Sequence, residues 1–386
     1  SSEYSLPEEN DEALVLHTSG TTSRPKIVPL TNKNIFSSAV NISKSLELSE
    51  IDHCLNIMPL FHIHGLIDIL ATSMKVGASV CTSNGFNAIK FLELAKSEKI
   101  TWYSGVPTMH QAILLRTEKN LKLAKDLKLR FLRSSSASLP PAVFEKLNSI
   151  FKCPVIEAYG MTEATHQMTS NPLPPKIQKP GFVGIPAGPD VCIMDDNDKI
   201  LNQGEIGEVC IKGNNVTLGY DNNPEANKKS FCNGWFRTGD IASTENGIYK
   251  IWGRASQDII KTGGEKVSAN EIQYVLRTHP EIKECAVIGM KDKKWGEAVS
   301  AAIVLAKELG YEVREQSLPR ETLYLADEVF FVGTAVEVAP IRSVDKIKIG
   351  KGSCGPITRE IMDRFSEIVS GRKPDTHGWL LNVNST

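Results

Sequence analysis

The chain has 386 residues, a formal charge of −1, 41% hydrophobic and 23% charged residues, the proportions of an ordinary globular protein. That length makes two or more domains around a sizeable core, and the near-zero charge gives no footing for a nucleic acid or an anionic membrane surface. No apolar run approaches the roughly 20 residues of a membrane span, so no membrane span is expected.

Eight cysteines are scattered without a Cys-x-x-Cys pair, against zinc and a disulfide framework and in favour of a reducing compartment. With no signal peptide and a C-terminal Asn-Ser-Thr that is no peroxisomal address, a cytoplasmic location is expected. A start at Ser1 reads as the cut end of a fragment.

Residues 1–12 are acidic and polar and read as a loop or cut end. The apolar run Ala13 to Leu16 reads as a buried strand and leads into His17-Thr-Ser-Gly-Thr-Thr-Ser-Arg-Pro-Lys26. Small residues let the backbone approach a phosphate, amides and hydroxyls donate to its oxygens, and Lys26 adds a point charge. The segment is not the Walker pattern, since no Gly-Lys-Ser/Thr stands at the required spacing; the alternative is a polar surface turn. Apolar residues Ile35, Val40, Ile42 and Leu46 recur at helical spacing.

Strands and helices then alternate: strand 54–58, helix 66–74, strand 79–82, helix 88–97, strand 101–105, helix 107–116, strand 129–134, helix 140–150 and strand 154–157. Such alternation builds a mostly parallel sheet with helices on its faces, whose strand ends carry ligand groups. Met58-Pro-Leu-Phe-His-Ile-His-Gly65 stands at one strand end; His62 and His64, two apart, lack a third ligand for a metal. Arg133-Ser-Ser-Ser-Ala-Ser-Leu139 stands at another. In Glu157-Ala-Tyr-Gly-Met-Thr-Glu-Ala-Thr-His166, Tyr159 can stack on a purine, Thr162 can bond a phosphate oxygen, and Glu163 is a hard ligand for magnesium. A helix cap is the competing reading of Thr162 and Glu163.

Near Gly181 the texture changes to short strands, 191–195, 208–212 and 248–252, separated by Gly, Asn and Asp turns, which suggests an antiparallel, barrel-like unit. Asp240 in Gly234-Trp-Phe-Arg-Thr-Gly-Asp240 follows a tight turn and can accept both ribose hydroxyls; a solvated turn aspartate is the alternative. A helix 269–276 and strands 284–290 and 299–305 complete the pattern.

Ser19-Gly-Thr-Thr-Ser-Arg-Pro-Lys26, and with it the His, Ser-rich, Tyr-Gly-Met-Thr-Glu and Thr-Gly-Asp elements in the same order, resembles the adenylate-forming superfamily, which includes the acyl-CoA synthetases. Pro59-Leu-Phe-His-Ile-His-Gly65 and Glu163-Ala-Thr-His166 look most like its oxalate–CoA ligase and coumarate–CoA ligase-like group. The resemblance covers about 13–305 and implies an α/β AMP-binding core at 13–180, a β-barrel-like subdomain at 181–253 and a partial mobile α+β C-terminal domain at 254–305.

It further implies ATP or AMP binding by Thr18, Ser19, Gly20, Thr21, Thr22, Lys26, Tyr159, Thr162, Asp240 and Arg254, with Glu163 on Mg2+. Catalytic roles fall to His62, Thr162, Glu163 and Lys26. A small carboxylate such as oxalate is met by His62, Ser136 and His166, and coenzyme A by Lys261, Gly263 and Gly264. A doubly charged substrate needs polar partners where a fatty-acyl enzyme has an apolar slot. The implied reaction is AMP-forming acid–thiol ligation, an acyl-adenylate forming first and the thiol of coenzyme A attacking it second.

Four features depart from the family pattern. The phosphate loop starts at residue 17, where the family has a further subdomain before it, Ile27 replaces a glycine, Ser256 stands where the hinge has Lys or Asp, and the wording Leu-Pro-Lys-Thr-x-x-Gly-Lys is missing. Instead, residues about 306–384 resemble the C-terminal end of a fold type IV branched-chain aminotransferase, with Gly333-Thr-Ala335 matching a cofactor-phosphate turn. That family's Schiff-base lysine lies in a part with no counterpart here, so pyridoxal phosphate is not expected to act. The abrupt join near Leu305 reads as a chimera. A nucleotide- or CoA-binding remnant without turnover and a partial aminotransferase remain alternatives, and the oligomeric state is open.

Overall fold

The computed structural model describes residues 6–18, 26–83, 85–117, 119–255, 258–262, 265–269, 272, 286–292, 296–302, 326–333, 337–344, 347–369 and 372. The chain divides into two compact units, Ser1–Ile251 and Trp252–Thr386.

The first unit opens with β1 (Glu12–His17) and β2 (Ile27–Thr31), which pair antiparallel as a sheet of their own. The Ala13–Leu16 run is therefore not a buried central strand: Ala13 and Val15 are exposed, and its partner is the strand beyond the loop. Thr31 caps α1 (Asn32–Ser45) through a reciprocal box with Asn34, which satisfies two N-terminal amides.

The main sheet holds β3 (His53–Asn56), β4 (Ser79–Thr82), β5 (Trp102–Gly105), β6 (Phe131–Ser134) and β7 (Val155–Met161), followed by β8 (His166–Ser170) and β9 (Ile185–Pro186). Their spatial order is β4-β3-β5-β6-β7-β8-β9. The first five run parallel, and the last two are antiparallel additions. Helices cover both faces, so the central strands are apolar on both sides: Leu55, Trp102, Tyr103, Phe131, Leu132, Val155 and Ile156 are fully buried. Two apolar cores result, one around Ile42, Trp102 and Phe131, the other around Leu55, Tyr103, Leu132 and Phe144.

Two local features depart from the simple pattern. Residues His64–Ala71 form a π-helix that passes into α2 (Thr72–Lys75), and β7 continues through Tyr159 and Gly160, where its register on β8 shifts, to Met161, so this motif begins in a strand and not at a helix start. Thr162–Ala164 form one 3-10 turn.

Beyond it, β10 (Asp190–Met194), β11 (Gly207–Lys212), β12 (Phe231–Cys232), β13 (Trp235–Glu245) and β14 (Ile248–Arg254) make a five-stranded sheet. It is ordered β10-β11-β13-β12 with β14 also on β13, and among the described residues these pairings trace an open path instead of a closed barrel.

In the second unit, β15 (Ile259–Thr262), β16 (Glu265–Ser268), β17 (Ala286–Asp292) and β18 (Gly296–Ala302) form an antiparallel sheet, ordered β16-β15-β18-β17. Hairpin β19 (Phe330–Gly333)/β20 (Glu337–Pro340), hairpin β21 (Ser343–Val344)/β22 (Ile347–Lys348) and the helix Pro356–Val369 follow. Most of the predicted helix 269–276 lies outside the described residues.

Candidate active site

Four of the predicted residues stand in two bonded sets at the end of β7. Lys26 is half-buried at the neck of its loop, where the Thr18 amide donates to the Lys26 carbonyl at 2.9 Å and the Lys26 amide donates to Thr18 Oγ1 at 3.3 Å. Its ammonium lies 4.4 Å from the centre of the Tyr220 ring, a cation–π contact. The Tyr220 hydroxyl donates to Glu163 Oε1 at 2.8 Å, and Glu163 is only 6% exposed. Tyr220 thus joins the lysine to the carboxylate, although no sequence motif singled it out.

Ile27 opens β2 in extended backbone, and its carbonyl accepts from the Asp221 amide at 3.0 Å. The position therefore needs none of glycine's freedom, which is why a β-branched residue fits. Tyr159 donates its hydroxyl to Asp240 Oδ2 at 2.5 Å. Asp240 does not follow a free turn: it sits inside β13, after Gly239 with φ of 78°, where the β11–β13 register shifts. That bulge redirects the carboxylate.

Gly160 explains the Tyr-Gly pair. A Cβ there would lie 2.0 Å from the His166 carbonyl oxygen, so only glycine lets β8 approach β7.

The two histidines of Phe61-His-Ile-His64 stand in different settings. His62 is exposed and accepts the His64 amide at Nδ1, whereas His64 turns inward as the π-helix begins and is fully buried. His64 Nδ1 is 3.1 Å from Ser136 Oγ and Nε2 is 2.6 Å from Ser104 Oγ, and its ring centre is 5.0 Å from that of His166. Ser104 in turn donates to Asp68 Oδ2 at 3.1 Å. Ser136, Thr165 and His166 have φ of 68°, 50° and 91°, left-handed backbone that costs non-glycine residues on the order of 1–3 kcal/mol each and gathers at functional sites.

Behind the histidines lie charges that motif reading missed. Arg133 Nη2 stands 3.1 Å from Asp68 Oδ1 and donates to Gln167 Oε1 at 2.8 Å, with the Arg133 and Asp68 side chains fully buried. Burial opposes the charge on Asp68, but Arg133, His166, His64 and Ser104 outweigh it and hold its carboxyl below the usual range. Burial lowers both imidazoles, His166 to about 4, against the opposing pull of Asp68.

His64, Asp68 and His166 offer ligand atoms within 4.8 Å of one another. The Arg133 guanidinium already meets this carboxylate at Oδ1, so the charge of Asp68 is matched within the chain and the cluster reads as an ion-pair network.

Other predicted positions stay apart or lie outside the described residues. Ser19, Gly20, Thr21, Thr22, Ser256, Gly263 and Gly264 are outside them. Thr162 is half-buried in its 3-10 turn beside Glu163. Lys261 lies in β15, opposite Lys266 of β16, and Arg254 is exposed in the second unit, its amide donating to Asp258 Oδ2 at 2.8 Å.

Comparison with known proteins fits this arrangement. The family model described as AMP-binding enzyme matches residues 2–221, and the AMP-binding enzyme C-terminal domain matches 271–349. The chain belongs to the AMP-binding enzyme family. Within the family it is 43% identical to an oxalate–CoA ligase of Saccharomyces cerevisiae, over 84% of this chain and 60% of that protein. It is 46% identical to one of Arabidopsis thaliana, over 76% and 58%.

The crystal structure of ATP-bound MatB from Rhodopseudomonas palustris superposes with a TM-score of 0.71 at 31% identity, covering 77% of this chain and 58% of that one. The fold is thus the adenylate-forming α/β fold with mixed sheets. The chain spans about three fifths of the length of the curated relatives it matches. The C-terminal-domain match runs through 306–349, part of the stretch read as aminotransferase-like.

Proposed function

We propose that this chain is the nucleotide- and acid-gripping part of an AMP-forming carboxylate–CoA ligase for a short dicarboxylic acid such as oxalate. The observation that carries the reading is the buried His64–Ser104–Asp68 relay ending at Ser136, a polar floor where an apolar acyl chain would find no partner. Similarity to two oxalate–CoA ligases supports the choice of acid.

Lys26 would take the polyphosphate of ATP, Tyr159 the adenine, and Asp240 the ribose. Glu163, a nearly buried carboxylate that follows Thr162 in the same 3-10 turn, is a hard-oxygen donor that fits Mg2+. When bound, the ion would offset charge on the phosphates. Lys261, Gly263 and Gly264 remain the proposed contacts of coenzyme A, on sequence grounds. The reading of 306–384 as an aminotransferase end rests on its sequence wording alone.

The test is pyrophosphate release from ATP by the purified chain with oxalate, compared with acetate and a long fatty acid, and CoA-dependent consumption of supplied oxalyl-adenylate. Oxalate-dependent turnover in either step is expected, the second far faster because the consensus adenylation-lysine wording is missing. Turnover with the fatty acid but not oxalate overturns the acid assignment. Nucleotide binding with no turnover in either step favours a non-catalytic remnant.

A further inference from the structure

Beneath the surface-facing Ser136 lies a relay whose hydrogens can be counted. Ser104 has one hydroxyl hydrogen and spends it on Asp68 Oδ2 at 3.1 Å, so at the 2.6 Å contact it accepts from His64 Nε2–H. Neutral His64 therefore carries its proton inward, and the Nδ1 facing Ser136 is a lone pair. A carboxylate arriving at Ser136 would meet that lone pair with like polarity.

The surrounding charges sum to zero. Asp68 is matched by Arg133 at 3.1 Å, and among the buried atoms Asp68 Oδ1, both ring nitrogens of His166, and Nε and Nη1 of Arg133 have no hydrogen-bond partner. A further anion set against these buried groups is unbalanced unless a cation accompanies it.

We propose that Asp68 is a positioning residue that couples proton uptake to dicarboxylate binding: the acid's second carboxylate enters with one proton, taken by the His64–His166 pair. The proton makes His64 a donor at both ends, Nε2–H to Ser104 and Nδ1–H outward to the arriving carboxylate, and Asp68 holds the ring in that orientation through Ser104. This deepens the dicarboxylate reading and rests on it.

The groups facing the pair are Asp68 and His62 from its own segment, Ser104 from β5, Arg133 and Ser136 from β6 and its loop, and His166 and Gln167 from β8. Cys54 of β3 also feels Asp68, whose charge adds to burial in raising that thiol. Near pH 7 the two buried imidazoles are neutral and able to accept, as is the exposed His62 outside the network. Burial lowers them in the free chain, and a neighbouring anion reverses that. The proton belongs to the pair and not to one ring.

Calorimetric titration of oxalate into the AMP-loaded chain, in buffers of contrasting ionisation enthalpy near pH 7, reads the proton count. Uptake of ~0.5–1 proton per oxalate is expected, with oxalate affinity falling up to ~tenfold per pH unit above neutrality, and no uptake with acetate. Asp68→Asn should abolish the uptake and flatten the pH profile, and Asp68→Glu should restore both.

Wild-type binding without proton uptake, or equal uptake in Asp68→Asn, overturns the proposal and leaves the dicarboxylate reading standing. Failure to bind oxalate or malonate by a chain that still binds AMP overturns both. Should Asp68→Asn not fold, the imidazole 15N shifts of the wild-type chain decide. One histidine protonated at both nitrogens on oxalate addition supports the proposal, and two neutral rings overturn it.

Discussion

Replacing Glu157 by Gln should remove a pH-dependent weakness of the first unit. Glu157 lies in β7, two residues before Tyr159, is 4% exposed, and accepts the Gly181 amide at 2.9 Å. Burial pushes its carboxyl up from an ordinary 4.5 to about 8, only partly offset by amide donors from Gly181 and Leu139. The folded chain therefore keeps a proton that the unfolded chain gives up. A raised folded value favours the native state below about pH 4.5, and that advantage drains away as pH climbs toward 8.

Each pH unit in that interval is worth ~1.4 kcal/mol, so between about pH 6.5 and 8 this one group removes ~2 kcal/mol from the wild type. Gln keeps an oxygen for the Gly181 amide and cannot ionise. Urea midpoints by far-ultraviolet circular dichroism at the two pH values, multiplied by the m-value, give the quantity. The difference between the two proteins isolates the one side chain. A variant that weakens with pH as much as the wild type would refute the reasoning.

Three further outcomes follow from the contacts. Tyr220→Phe keeps the ring under Lys26 but deletes the bond to Glu163, and a hydrogen bond to a charged group is worth ~1.5–3 kcal/mol; magnesium-dependent ATP affinity in a filter assay should fall at least ~tenfold while AMP affinity holds. His64→Ala should raise the oxalate KM far more than His62→Ala, since only His64 meets Ser136; steady-state kinetics of both variants would show it, and equal effects would restore His62 as the acid contact. Gly160→Ala puts a methyl 2.0 Å from a backbone oxygen and should cost ~3 kcal/mol or more, seen as a lower thermal midpoint together with weakened nucleotide binding.

Much of this site can be read from the chain because its parts are local. The loop ending at Lys26, the Tyr-Gly-Met-Thr-Glu run and the Thr-Gly-Asp run each carry their chemistry within ten residues, and the strands read at 54–58, 101–105 and 129–134 coincide to within a few residues with buried parallel strands. What sequence reading loses is set by contacts between distant segments. Tyr220 meets Lys26 and Glu163 from across the fold. The choice between His62 and His64 depends on where the π-helix begins, which no apolar spacing reveals.

A signal for the buried network was nonetheless present. Arg133 interrupts the apolar strand Phe131-Leu-Arg, and Asp68 interrupts Leu66-Ile-Asp-Ile-Leu. A lone charge inside an apolar run must find an opposite charge when buried. A strand bulge and a tight turn ask for the same glycine, so Gly239 reads as a turn in the sequence.

The central claim is that the first unit grips an adenylate between the Lys26–Tyr220–Glu163 set and the Tyr159–Asp240 pair. Calorimetric titration of AMP into the wild-type chain and into Asp240→Ala tests it most directly. The account predicts one-site binding by the wild type and a loss of ~2 kcal/mol in the variant, the weight of a hydrogen-bonded charged group; AMP bound equally by both proteins, or by neither, would contradict it.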